Sequence, residues 1–173
     1  MLPQELSSQA ELRLQALLEK WPDINATKVG TQLTLTLLGV SEFIFQTCQR
    51  YQNVAEYFLT LNNQSELLTE IAFIDQASLQ LDEVSFLHKL RSFRHFVMAV
   101  YAARDFLKLQ TIESTMTNLS NLADQFYLLV REWVKQQMSA RSGLALDQQG
   151  NEIALIALGM GKLGGGDLNF SSD

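Results

Sequence analysis

A single cysteine, Cys48, stands in the 173 residues of this chain. One thiol closes no internal disulfide, and it suits a reducing compartment such as the cytoplasm. Charged residues make up only 18%, and 13 Lys and Arg are outnumbered by 19 Asp and Glu. The resulting net charge of −6 leaves no basic surplus to neutralise phosphates, which argues against a nucleic-acid partner. No apolar run approaches the ~20 residues of a membrane span, so no membrane partner is expected. The first residues, with Gln4 and Glu5, lack the basic-then-apolar pattern of a secretory signal. No internal repeat or low-complexity tract is visible. His88 and His95 have no third metal ligand at a recognisable spacing, which leaves zinc without support. Hydrophobic residues are plentiful at 47%, which excludes intrinsic disorder. The length is that of one ordinary domain and suffices for a real core.

From the start to about residue 140 the pattern predicts helices with short breaks. Ser8-x-x-Glu11 has the form of a capping box ahead of Leu12, Leu14, Leu17 and Leu18, and Trp21-Pro22 closes that helix. Leu33 to Leu37 alternates with threonines like a strand. Gly39, placed like a C-terminal cap, favours a helix there. Ser41 is placed to cap a helix carrying Phe43, Ile44 and Thr47, and Asn62-Asn63 breaks the apolar stretch Val54 to Leu61. Two longer helices follow. Asp82 can cap the first, whose apolar residues Phe86, Leu90, Phe93, Val97, Val100 and Tyr101 recur every three or four positions. Thr111 can cap the second, in which Met116, Leu119, Leu122, Phe126, Val130, Trp133 and Val134 do the same. The short connection, Leu109 to Thr111, predicts antiparallel neighbours at the core of a helical bundle. Ser142-Gly143 ends the bundle, and Asp147 to Gly150 is a turn. The expected domains are therefore a helical bundle over 1–143 and a second region over 144–173.

That second region carries the functional signal. An apolar run, Ile153 to Leu158, feeds into Gly159-Met-Gly-Lys-Leu-Gly-Gly-Gly-Asp-Leu-Asn-Phe-Ser-Ser-Asp173. Glycines at this density cost backbone entropy, so an ordered protein keeps them where the chain turns sharply or meets a ligand closely. Strand, glycine turn, then hydroxyls and a carboxylate is a way to present phosphate oxygens to backbone N–H groups and a metal ion. Gly159-x-Gly161-x-x-Gly164 matches a dinucleotide fingerprint in letter only. That motif needs a helix opening within it and a later acidic residue, whereas Gly165, Gly166 and Asn169 are poor helix formers. A Walker loop needs Ser or Thr after the lysine, and Leu163 follows Lys162. A kinase glycine loop wants Val where Gly166 stands. A nucleotidyltransferase arrangement of the DNA-polymerase-β type fits: a strand, a glycine turn, and about ten residues later a pair of carboxylates.

The Gly159–Asp173 segment closely resembles the signature of the glutamine synthetase adenylyltransferase family, the adenylyl-transferring and adenylyl-removing enzymes. Leu90-Arg-Ser-Phe-Arg-His-Phe-Val-Met98, with Asp105, resembles a Leu-Arg-x-Phe-Arg helix of that family. Leu119-Ser-Asn-Leu-Ala-Asp124, with Trp133, resembles the helix after it. The likeness runs from about residue 35 to the end. It implies a mainly α fold: a helical bundle followed by the first strand and glycine turn of the nucleotidyltransferase domain. In the family a second Asp follows two residues beyond the one matched by Asp173. The resemblance thus implies Asp173 as a catalytic metal ligand for Mg²⁺, with Gly159, Gly161, Lys162, Ser171 and Ser172 meeting nucleotide phosphates. It implies glutamine synthetase, the PII signalling protein, ATP, ADP and phosphate as partners, in the cytoplasm. A helical leader before the signature matches the first of the family's two transferase domains, which removes AMP by phosphorolysis. One carboxylate without its mate implies a piece of a larger enzyme, inactive alone. The alternatives are the adenylylating half, or a non-catalytic helical docking or regulatory module.

Some residues have plainer readings. Arg91, Arg94 and His95 share a helix face, and such a face is more often solvated than a ligand site. Cys48, among apolar residues, reads as a small core residue and not a nucleophile. The glycine segment could equally be a loose tail from Gly164 onward.

Overall fold

A computed structural model describes residues 3–24 and 31–171. The protein is mainly helical. Helices α1 (Gln4–Lys20), α2 (Gln32–Val40), α3 (Glu42–Arg50), α4 (Gln52–Leu59) and the single turn α5 (Gln64–Leu67) come first. A 3-10 segment, Gln76–Gln80, precedes the long helices α6 (Glu83–Phe106) and α7 (Ile112–Ser142), and a short α8 (Gly161–Gly165) follows. The chain forms two compact units, Met1–Ala72 with Arg91–Leu109, and Phe73–Leu90 with Gln110–Asp173.

In the first unit, α1 packs on α2 and α3 on α4. Leu17, Leu37, Leu38, Ile44, Val54, Phe58 and Leu59 are the bulk of its core, with Ala99, Val100 and Ala103 from α6. The threonines that gave α2 a strand-like alternation are satisfied as a helix: Thr34 donates to the Phe58 carbonyl at 3.0 Å, and Thr36 to Gln32 at 2.7 Å. Helix α2 runs through Gly39 to Val40, so Gly39 is a buried interior residue and not the expected cap. Ser41 takes that place. Its N–H donates to Leu37, and its hydroxyl accepts from the N–H of Ile44 at 3.2 Å, ending α2 and starting α3 with one residue. Tyr51 joins α3 to α4 in the same extended conformation.

Helix α1 corrects another expectation. It begins at Gln4 behind Pro3, and Ser8 lies inside it, its hydroxyl turned back to the Gln4 carbonyl at 3.2 Å. Pro3, the N-cap, explains the earlier start: its carbonyl accepts from the Ser7 N–H at 3.0 Å, and its missing N–H costs the helix no bond. Trp21 does close the helix, and its indole N–H donates to the Cys48 carbonyl at 2.9 Å. Arg13 donates to Leu38 and Glu42 beneath the Phe45 ring, and Arg104 donates to Leu67 at 2.6 Å and Thr69 at 3.1 Å. Cys48 is fully buried, and burial pushes its thiol up to about 12, the behaviour of a core residue. Arg91 and Arg94 are exposed, while His95 donates from Nδ1 to the Arg91 carbonyl at 2.7 Å and packs against Tyr51.

In the second unit, Asp82 caps α6 as expected, accepting from Val84 and Ser85, and Thr111 caps α7, accepting from Ser114. Phe86, near the start of α6, stacks on Trp133, late in α7, with centroids 4.9 Å apart and planes 8° from parallel. Trp133 also donates its indole N–H to the Leu81 carbonyl at 3.1 Å. Within this unit the contact is antiparallel. From Arg91 onward α6 belongs to the first unit, where Ala99, Val100 and Ala103 enter that core. Val134, expected in the core, is 38% exposed. Gly143, at φ 79°, ends α7 where the sequence placed its end.

Candidate functional site

The approach to the glycine segment is a tight turn on the end of α7. Asp147 organises it: its carboxylate accepts from the N–H groups of Gln149 at 2.9 Å and Asn151 at 2.8 Å, and from the Asn151 side chain. These bonds, the Asn151 side chain first, hold the Asp147 carboxyl below the usual carboxylate range. Leu146 and Glu152 form one antiparallel bridge, and Ile153 donates to Ala145 at 2.9 Å. Glu152 pairs with Lys135 of α7 at 2.6 Å. Between them lies a cleft of about 520 Å³ lined by Val134, Met138, Leu144, Ile153 and Leu155.

The turn across Asp147–Gly150 is therefore as expected, but the strand leading into the glycine segment is not. Among the described residues Leu144–Leu146 and Ile153–Leu158 form no strand beyond that single bridge. A strand exists only through a partner, and residues 153–158 have no ladder beside them. Their side chains stay in the open, with Ile156 81% and Leu158 84% exposed.

The glycines then build a compact turn. Helix α8 opens inside the motif, which glycine content spoke against, and it lasts one turn. Gly166, at φ 73°, ends it in the left-handed region. The Asp167 N–H reaches back to the Lys162 carbonyl at 2.8 Å and the Gly166 N–H to Leu163 at 3.1 Å, a Schellman closure that only a residue at ease in that region completes cheaply. The need for glycine is steepest at Gly164, where a Cβ would sit 2.4 Å from the Gly159 carbonyl oxygen. Two backbones touch there because Gly164 carries no side chain.

Beyond the turn, the Leu168 N–H donates to the hydroxyl of Ser120 on α7 at 3.2 Å. Asn169 then accepts from the N–H and hydroxyl of Ser171 at 3.1 and 2.9 Å. Of the expected site residues, Gly159, Gly161 and Lys162 thus lie in one exposed turn, and Ser171 in the short Asn169 turn that follows. Ser172 and Asp173 lie outside the described residues. Among the described residues no group of three or more His, Cys, Asp or Glu side chains could hold a metal ion. They do not by themselves make the implied magnesium site. Ser120 was not singled out from the sequence; a serine within the apolar period of α7 is the signal that points to it.

The class defined by these observations is a mainly helical protein that carries a closely packed glycine turn. The chain belongs to the glutamate-ammonia ligase adenylyltransferase family, whose model matches residues 31–173. It is 35% identical to the bifunctional glutamine synthetase adenylyltransferase/adenylyl-removing enzyme of Shewanella loihica over 99% of this chain and 18% of that protein. The enzyme of the same name from Vibrio parahaemolyticus is 33% identical over 99% of this chain and 18% of its own length. That of Pasteurella multocida is 37% identical over 75% and 12%. The family is the one the glycine signature resembled, and the likeness reaches further towards the first residue than position 35. The chain spans less than a fifth of the length of these curated relatives. No helix among the described residues is long and apolar enough to cross a membrane.

Proposed function

We propose that this chain is part of a bifunctional enzyme that adds AMP to a tyrosine of glutamine synthetase and removes it, and that it belongs to the removing half. The observation that carries the reading is the backbone contact of Gly159 with Gly164, inside a segment the family match includes. A turn stripped of side chains is what lets backbone N–H groups approach phosphate oxygens. In this reading Gly159, Gly161 and Lys162 meet the nucleotide phosphates, with Lys162 a point charge and Ser171 and Ser172 hydroxyl donors. Asp173 is the candidate catalytic metal ligand. A bound Mg²⁺ would supply charge neutralisation at the phosphate oxygens. The removing reaction balances simply. An oxygen of inorganic phosphate attacks the AMP phosphorus, the bond to the tyrosine oxygen breaks, that oxygen takes up a proton, and ADP leaves.

The removing half is favoured by the order of segments, a helical leader and then the glycine signature. The same reading makes residues 1–143 the helical region and 144–173 the opening of the transferase domain. It takes the PII signalling protein, ATP, ADP and phosphate as partners and the cytoplasm as location. In the same reading the 173-residue chain on its own is inactive. The test is a longer protein that carries the downstream sequence. It should release ADP from adenylylated glutamine synthetase only when phosphate is present, and Asp173→Ala should abolish release with an unchanged circular dichroism spectrum. Addition of AMP from ATP instead would assign the chain to the adenylylating half. Binding of glutamine synthetase or the PII protein with neither activity would make it a docking module.

A further inference from the structure

Helix α7 carries a serine whose hydroxyl does two things. Ser120 is 6% exposed and sits between Leu119 and Leu122, 6% and 8% exposed. Its hydroxyl donates to the Met116 carbonyl one turn back at 2.9 Å, which uses its only proton. A lone pair remains, and it receives the N–H of Leu168 at 3.2 Å, from 48 positions further along the chain. The first bond is what any helical serine makes with its own helix. The second is not local.

We propose that Ser120 is a positioning residue for the nucleotidyl-transfer site, acting through the Leu168 N–H, a role that rests on the function proposed above. Its place in the chain is what gives it leverage. Leu168 is the second residue after Gly166, where the glycine turn ends in the left-handed conformation. Glycines leave the path beyond them undetermined, because each admits conformations that other residues do not. The tether removes that freedom at the first non-glycine residues, and the Asn169–Ser171 turn takes up the next three. A rigid helix therefore sets where the chain leaves the glycine turn, at Leu168. Placement of this kind governs turnover, since errors of about 1 Å in a reacting geometry can cost on the order of a hundredfold in rate.

Ser120→Ala is a clean perturbation, because alanine is the better helix former and α7 keeps its own backbone bonds. In the 173-residue chain, nuclear magnetic resonance should show the Leu168 amide exchanging with solvent on the order of tenfold faster in Ser120→Ala, with the amides of α7 unchanged. Ser120→Thr, which keeps the hydroxyl, should restore slow exchange. In the longer protein carrying the downstream sequence, Ser120→Ala should lower kcat for phosphate-dependent ADP release roughly tenfold and leave KM within about twofold, with rescue by Ser120→Thr. Unchanged exchange at Leu168 would overturn the tether. Faster exchange with unaltered kcat would overturn the positioning role, as would a loss that threonine fails to rescue while its exchange is normal. A longer wild-type protein with no transfer in either direction would sink the functional reading and the positioning role with it, while the exchange result would still decide the tether.

Discussion

Two neighbouring glycines offer the sharpest test of the turn. Gly164→Ala and Gly165→Ala are the same chemical change one residue apart, and the structure assigns them opposite outcomes. A Cβ at Gly164 would lie 2.4 Å from the Gly159 carbonyl oxygen and 2.9 Å from its carbon, both backbone atoms. Ordinary contact begins near 3.4 Å, so the Gly159 strand of the turn must retreat by about 1 Å. Overpacking of this kind costs about 1–3 kcal/mol. A five-residue helix of glycine, lysine and leucine has little stability of its own to offset it. At Gly165 the close neighbour among the described residues is the tip of the Asp167 side chain, at 3.1 Å, which can swing aside. There alanine should instead gain up to about 1 kcal/mol of helix propensity. Amide spectra of the 173-residue chain read the difference directly. Gly164→Ala should displace the resonances of Gly159 to Asp167, and Gly165→Ala should leave Gly159 where it was. Comparable spectra for the two variants would refute the backbone contact and, with it, the observation that carries the proposed function.

Three further outcomes are expected. Phe86→Ala should lower unfolding free energy by about 3–5 kcal/mol, since Phe86 is 1% exposed and stacked on Trp133. Urea unfolding in a Trp21→Phe background, which leaves Trp133 as the reporter, measures it, and a loss below about 1 kcal/mol would contradict the stack. The Cys48 thiol, raised from 9.0 to about 12, gives stability that is full below about pH 9 and fades as pH climbs towards 12, because the unfolded chain ionises first. Urea midpoints between pH 7 and 11 should therefore fall more steeply in the wild type than in Cys48→Val, and parallel profiles would remove the burial argument. Lys108 holds φ 55° at the end of α6, where the Leu109 N–H reaches Arg104 at 2.8 Å, so Lys108→Gly should stabilise the protein by roughly 0.5–1 kcal/mol while Lys108→Ala should not. A Gly variant no more stable than the Ala one in thermal unfolding would show that the left-handed residue carries no strain.

Most helices were legible because their signals are local. Ser41, Asp82 and Thr111 cap the helices they were assigned, and Asn63 starts α5 by accepting from Ser65. A cap depends on a few neighbouring residues, so sequence alone can identify it. Ser8 misled because Pro3 supplied an earlier start that the capping-box pattern outweighed. Ile153–Leu158 shows no strand among the described residues for a different reason: an apolar run states what must be covered but not what covers it. Helix α6 was read as one face for one partner, whereas Phe86 and Val100 serve different units. At the site, the glycine density pointed to a sharp turn or a close ligand approach, and the described residues show a turn that brings Gly164 against the Gly159 backbone. The Ser120 bond could not be read, since it joins positions 48 residues apart and a helical serine has a local use for its hydroxyl.

The single-residue joints at Ser41 and Tyr51 have a consequence for how this family can vary. Each helix residue adds about 100° of rotation, so one inserted residue has no loop in which to be absorbed. An insertion at position 41 would swing Ile44 and Cys48 off the core side of α3 and bring Phe43 and Gln46 into core places. A deletion does the same in the opposite sense. Alignment gaps among relatives should therefore avoid residues 31–59 and collect in stretches such as 68–75, where the chain has no helix phase to lose.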